Sequence, residues 1–156
     1  MTTPTVLKKK LSRLWVFEVN TGTTESPVWT RVNGLTSATL TISPNEVDVS
    51  DFDSEGWQDN LTTFRSWALA LAGWDGYTGA DNAPVDDPGQ VALKAKGLLT
   101  GAAAYAEIQF YRSDTEKGYT GRVTVNYGGA GGEVKAAEAI SFNLTGSGAC
   151  EPLDLS

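Results

Sequence analysis

Residues 105–127, YAEIQFYRSDTEKGYTGRVTVNY, contain two stretches in which apolar side chains recur at every second position. In the first, Ala106, Ile108 and Phe110 alternate with Tyr105, Glu107, Gln109 and Tyr111. In the second, Tyr119, Val123 and Val125 alternate with Thr120, Arg122, Thr124 and Asn126. A period of two sends successive side chains to opposite faces of an extended strand, so both stretches predict antiparallel strands with one face in a core and the other wet. Ile140, Phe142 and Leu144 repeat the pattern against Ser141, Asn143 and Thr145. The glycines of GGAGG, 128–132, read as a connection between two such strands.

Working outward, WALALA at 67–72 sets Trp67, Leu69 and Leu71 against alanines. This predicts a strand with one face on the core and the other approached closely by neighbouring backbone. LWVFEV at 14–19 has no alternation and reads as a strand buried on both faces. Val28–Val32 and Leu35–Ile42 flank Asn33-Gly34, a dipeptide that accepts the positive φ angles of a tight turn, and so predict a hairpin. Ser43–Phe64 is acidic and without period, and Gly73–Pro88 is dense in Gly, Pro, Asn and Asp; both read as long loops.

One helix is predicted. Asp87 is a favourable N-cap, Pro88 suits the first helical position, and Gln90 completes a capping box. Val91, Ala95, Leu98, Leu99 and Ala102 then follow helical spacing on one side, and Gly101 can end the helix. About seven strands and one helix make a mainly β chain, a β-sandwich or barrel with one flanking α-helix and a long inter-strand loop. Residues 1–13 read as a basic arm, 14–149 as the β-sandwich domain and 150–156 as a short C-terminal tail.

The 156 residues suffice for one core. No stretch approaches the roughly 20 apolar residues of a membrane span, and Met1–Arg13 lacks the apolar centre of a secretory signal. Without export, the Asn-x-Thr triplets at Asn60 and Asn143 are chance matches. Lys8, Lys9, Lys10 and Arg13 are four of the twelve bases, so the rest of the chain carries eight bases against nineteen acids. Glu46–Asp87 alone has ten acids and one base, Arg65. So anionic a body repels nucleic acid and excludes a duplex-binding face.

DFDSEGWQDN, 51–60, resembles the start of a calcium loop, with Asp51, Asp53 and Glu55 followed by Gly56. Position twelve, which must supply a bidentate Glu, is Thr62, and the flanks read as strands, so a solvated acidic loop is the better reading. Opposed carboxylates for glycoside chemistry need a fixed separation that this loop does not provide. The chain has no histidine for a Ser or Cys nucleophile to lean on, and GGAGG does not lead a strand into a helix as a phosphate loop would. One cysteine and no histidine exclude a disulfide framework and most zinc sites. No catalysis, metal or cofactor is expected.

Two binding readings remain open. Trp29, Trp57, Trp67 and Trp74 with Tyr77 could form a platform for sugar rings, although Trp15 and Trp67 sit in apolar strands and fit a core. Lys8, Lys9, Lys10 and Arg13 fit a solvated arm, a lipid-contact patch, or an arm lying along the acidic surface of a neighbouring copy.

VWTRVNGLTSATLTISPNEVDVSDFDSEGW, the loop GWDGYTGADNAPVDDPGQVALKAKGL opening a helix, and the ending ISFNLTGSGACEPL together resemble the major tail tube proteins of long-tailed bacteriophages. The resemblance spans Leu14–Leu153 and rests mainly on the order of elements. It implies a structural virion protein assembled in the host cytoplasm as hexameric rings. The rings stack into a tube around the tape measure protein, meet tail terminator and distal tail proteins, and pass DNA without binding it specifically. It further implies that the loop after the first hairpin docks on a neighbouring ring. Val47, Val49, Asp51, Phe52, Asp53, Glu55 and Trp57 would then form the inter-subunit loop, and Glu107 is a candidate to face the lumen. The runner-up is a carbohydrate-binding β-sandwich module.

Overall fold

In the computed structural model, residues 3, 5–134 and 136–156 are described. Among them the chain forms β1 (Trp15–Asn20), β2 (Trp29–Arg31), β3 (Leu35–Asp48), β4 (Asn60–Trp74), β5 (Tyr77–Ala80) and β6 (Ala83–Asp86), then α1 (Pro88–Gly97), and finally β7 (Tyr105–Arg112), β8 (Lys117–Tyr127), β9 (Ala139–Gly146) and β10 (Glu151–Asp154). Eight strands make one antiparallel sheet in the order β2-β1-β7-β8-β9-β4-β3, with β10 paired to β8, while β5 and β6 form a separate hairpin. The C-terminal segment is therefore tied to the sheet, with Glu151–Asp154 opposite Lys117–Thr120.

The alternation in the sequence sets the inner face. Trp67, Leu69 and Leu71 of β4, Ala106, Ile108 and Phe110 of β7, Val123 of β8, and Ile140, Phe142 and Leu144 of β9 join Phe17 and Val19 of β1 in one buried cluster. For strands this far apart in the order to share a core, the sheet must curl on itself. It stays open: β2 and β3, its two ends, are linked through Val32–Gly34, and a cleft of about 640 Å³ runs between β1 and the first half of β3. β1 is buried or half-buried along its whole length, as its aromatic and β-branched run predicts, with Glu18 among the half-buried positions. The alanines of β4 are an exception to expectation. Ala68 and Ala70 are exposed on the convex face, where Thr41, Ala68, Thr145 and Thr124 follow one another across four strands.

Five local readings change. Asn33-Gly34 turns the chain, with Gly34 at φ 82°, but the strands on either side are not paired to each other. β2 lies on β1 and β3 lies on β4. The turn is used differently: Asp87 accepts from the Asn33 N–H (3.2 Å) and side-chain amide (2.7 Å), tying the link between sheet ends to the start of α1. Gly73–Pro88 is not all loop, because it contains the β5–β6 hairpin.

The helix starts as predicted, with Asp87 accepting from the Gln90 N–H at 3.2 Å, but the reciprocal half of the capping box is absent. The Gln90 amide instead donates to Asn33 O (2.7 Å) and Trp74 O (2.9 Å), so it stitches helix to sheet. The helix ends at Gly97, and its buried side is Gly89, Gln90 and Leu93. Val91, Ala95, Leu98, Leu99 and Ala102, the apolar side in sequence, face outward. Gly89 and Gly97 explain the inversion: a Cβ on Gly89 would collide with Arg31 and Val32 backbone, and one on Gly97 with Tyr127. Small residues, rather than large ones, let the helix approach the sheet.

Candidate functional site: a projecting amphipathic ribbon

Ser43–Phe64 is the largest revision. Instead of an irregular loop, β3 and β4 continue as a two-stranded ribbon, with pairs from Ser43↔Ser66 through Pro44↔Arg65 and Asn45↔Phe64 to Glu46↔Thr62, Val47↔Leu61 and Asp48↔Asn60. Only 49–59 forms the tip. From Thr41 to Ser66 every residue is exposed except the half-buried Ser54, so the ribbon stands clear of the body. Six residues of strand beyond Ile42, at ~3.3 Å each, carry the tip about 20 Å out.

Directly opposed residues in an antiparallel pair share a face. One ribbon face therefore presents Asn45, Phe64, Val47 and Leu61, and the other Pro44, Arg65, Glu46, Thr62, Asp48 and Asn60. The first is mostly apolar and the second polar. Leu61 and Phe64 are three residues apart, which would put them on opposite faces of a regular strand. A bulge at the Asn45/Glu46 register shift absorbs Thr63, whose hydroxyl donates to Asn45 O at 3.0 Å, and this returns both to one side.

The tip is built by its acids. Asp51 caps a single 3-10 turn, Phe52–Ser54: its carboxylate accepts from the Asp53 N–H (3.0 Å) and the Ser54 hydroxyl (3.2 Å), while the Ser54 hydroxyl accepts from the Asp51 N–H (3.0 Å). Asp48 accepts from the N–H and hydroxyl of Ser50, and these bonds hold its carboxyl below the usual range. Glu55 and Gly56 then take left-handed backbone to return the chain. These oxygens are thus engaged in turn formation. Among the described residues, no group of three or more His, Cys, Asp or Glu side chains is arranged to hold a metal ion.

Between the acids, Phe52 is fully exposed and Trp57 is 81% exposed, while Val47 and Val49 are each a little under half exposed. Sequence reasoning found these four and missed Leu61 and Phe64, the latter 75% exposed, because the bulge hides their shared side.

The ribbon is anchored where it leaves the body. Trp67, 5% exposed, is the last buried residue of β4 before the ribbon, and its indole N–H donates to Gly148 O at 2.9 Å. Its ring lies against Gly121 and Gly146, where a Cβ would overlap it. The tryptophans form no common platform: Trp67 is core, Trp57 precedes β4, and Trp74 is the last residue of that 15-residue strand.

Glu107 lies on the convex face of β7, half-buried, and accepts from Thr24 Oγ1 (2.6 Å) and Asn20 Nδ2 (3.2 Å). Lys8, Lys9, Lys10 and Arg13 are exposed, and among the described residues none of them is ion-paired. The root of the arm is fixed by buried Arg112, which donates to Leu11 O at 3.1 Å and grips Asp114 through Nε and Nη2, both at 3.0 Å. Cys150 is half-buried against the core, and burial pushes its thiol up.

Residues 12–151 match a family model described as phage tail tube protein. Among solved structures, the chain is similar to one described as the tail of an empty GTA particle computed with helical refinement and C6 symmetry. The two share 18% identity at a TM-score of 0.65, over 92% of this chain and 98% of that one. It is also similar to a chain in the virion of a native gene transfer agent particle, with 16% identity, a TM-score of 0.64, and the same two coverages. At these identities the likeness to solved structures speaks to the fold. No curated protein matches the sequence. Among the described residues no helix is long and apolar enough to cross a membrane.

Proposed function

Since the chain belongs to the phage tail tube protein family, a structural component of the virion tail and not an enzyme, we propose that it assembles as hexameric rings. These stack into a tube around the tape measure protein and conduct DNA during ejection. The observation that carries this reading is the ribbon. Phe52, Trp57, Phe64, Leu61, Val47 and Val49 are apolar groups on a two-stranded projection that its own chain leaves uncovered. Contiguous exposed apolar surface marks a contact made with another molecule. Residues distributed along a spur about 20 Å long suit a neighbouring ring better than a side-by-side contact. The six acids of Ser43–Ser66 keep the free ribbon soluble and slow premature association.

Hexameric symmetry is supported by the C6 tail whose fold this chain shares. The excess of nineteen acids over twelve bases suits a conduit that must not hold DNA, and Glu107 is the residue we assign to the lumen side. Terminator and distal tail proteins would cap the two ends of such a tube.

The test is electron microscopy of the purified protein with and without Phe52→Ser and Trp57→Ser. Burying one such aromatic side chain contributes ~1.5–3 kcal/mol, so losing both raises the concentration needed for assembly at least about a hundredfold. The unaltered chain should form rings or hollow tubes. The double variant should stay folded and dispersed, and tubes of normal abundance from it would refute the reading.

A further inference from the structure

The ribbon has an open side. β3 is the last strand of the sheet, so among the described residues its outer edge from Leu35 to Asp48 is unpaired. An unpaired edge offers its N–H and C=O groups to any extended segment that arrives there, and side chains on either side of the new strand then decide which segment fits. Along the ribbon half of this edge the two sides differ. Val47 and Val49 lie on the apolar face, and Glu46 and Asp48 on the polar one.

The N-terminal arm has the complementary pattern. Thr5–Leu11, TVLKKKL, leaves the body without regular structure, with Val6 at 87% and Leu7 at 79% exposure and Lys8, Lys9 and Lys10 exposed beside them. As an extended strand it puts Lys8 and Lys10, with Val6, on one face and Leu7 and Leu11, with Lys9, on the other. Ribbon residues Ser43–Ser66 carry six acids against Arg65, and the arm with its root carries four bases and no acid. Both segments are mixed apolar and charged, with opposite signs. The strand registers put the start of β1, where the arm joins, at the same end of the sheet as the start of the ribbon, yet in the single chain the arm's apolar groups Val6 and Leu7 remain uncovered.

Resting on the assembly reading above, we infer that the arm of one copy adds as a strand to the open β3 edge of another copy's ribbon. Leu7 lies there beside Val47 and Val49, and Lys8 and Lys10 beside Glu46 and Asp48. The ribbon then has a defined partner, and the arm's charge is spent on attaching subunits rather than on nucleic acid or lipid. Its contribution is salt-dependent, since every pair involved is near water.

The test uses full-length chains carrying Cys150→Ser. Leu7→Cys is placed in one preparation and Val47→Cys in a second that carries a size tag, and the two are mixed under assembly conditions and oxidised. The expected product is a mixed disulfide-linked dimer of tagged and untagged chains. Lys8→Glu with Lys10→Glu should reduce its yield by about tenfold. Glu46→Lys with Asp48→Lys in the partner should restore it. Rings or tubes seen by microscopy without the mixed dimer would overturn the arm-to-ribbon contact and leave the tube reading standing. Absence of both tubes and dimer would overturn both. A disulfide formed only when both substitutions share one chain would show that the arm folds onto its own ribbon, which also overturns the inference. So would a mixed dimer whose yield is indifferent to the charge reversals.

Discussion

Gly146→Ala places one methyl group where the structure has no room for it. The added Cβ falls well inside contact with Nε1, Cε2 and Cδ1 of Trp67, where ordinary carbon contacts sit at about 3.5–4.0 Å. The indole cannot swing away freely, because Gly121 lies against its benzo ring and its N–H is committed to Gly148 O at 2.9 Å. Overpacking of this kind costs roughly 1–3 kcal/mol. A strained or lost indole hydrogen bond adds about 1 kcal/mol. Gly146 does not have a positive φ, so the substitution brings no strain of its own and even recovers about 0.5 kcal/mol of chain entropy. The net expectation is a loss of about 3 kcal/mol, which for a chain of this size lowers the melting temperature by roughly 6–12 °C. Urea unfolding followed by circular dichroism measures it. The double variant with Trp67→Phe should lose less than the two single losses combined, by about 1–2 kcal/mol, because the smaller ring removes the clash. Additive losses, or a Gly146→Ala chain as stable as the original, would refute the account of how Trp67 is clamped.

Asp87→Ala should cost about 3 kcal/mol by urea unfolding, since it removes the cap of α1 and strands both donors of Asn33; Asp87→Asn, which keeps one acceptor oxygen, should cost about a third of that. Arg112→Met should cost about 2 kcal/mol in the same assay, and Arg112→Lys should recover little, because a lysine cannot bridge both Asp114 oxygens and Leu11 O. In alkali, two groups act in the same direction. Burial pulls the Lys94 ammonium down, but its 2.6 Å hydrogen bond and charge attraction to Asp75 outweigh that and hold it above its usual range, while burial and the bond to Glu18 push the Tyr111 phenol up. Both raised values favour the folded chain fully below about pH 10, and the benefit is lost as pH rises through the folded-state values. Urea midpoints should therefore be flat from pH 8 to about 9.5 and fall above it, with a shallower fall in Lys94→Met and Tyr111→Phe chains.

The elements that fill the core were legible because their chemistry is periodic. Ile140, Phe142 and Leu144 are buried and their alternate neighbours exposed, as the strand's own pleat dictates. Asp87 and Pro88 mark the start of α1 because capping is local. What failed was non-local. Asn33-Gly34 announces a turn without saying which strands it serves, and the partner of Asn33 lies 54 residues away. The apolar side of α1 misleads because periodicity records where Val91, Leu98 and Leu99 lie, not whether anything covers them. Ser43–Phe64 looked structureless because one extra residue, Thr63, shifts Leu61 out of phase with Phe64. The site was legible through Phe52 and Trp57, large apolar residues set among acids, and its shape became clear only when the bulge was seen.

The clamp at Trp67 divides the molecule into parts that answer to different demands. Residues on the body side are constrained by one another, and a poor choice there is felt as unfolding. Beyond the clamp almost every side chain meets solvent in the single subunit, so changes there are nearly silent for folding. A lineage can thus rewrite the spur to fit a new neighbour, in length, charge or grease, while inheriting an unaltered scaffold.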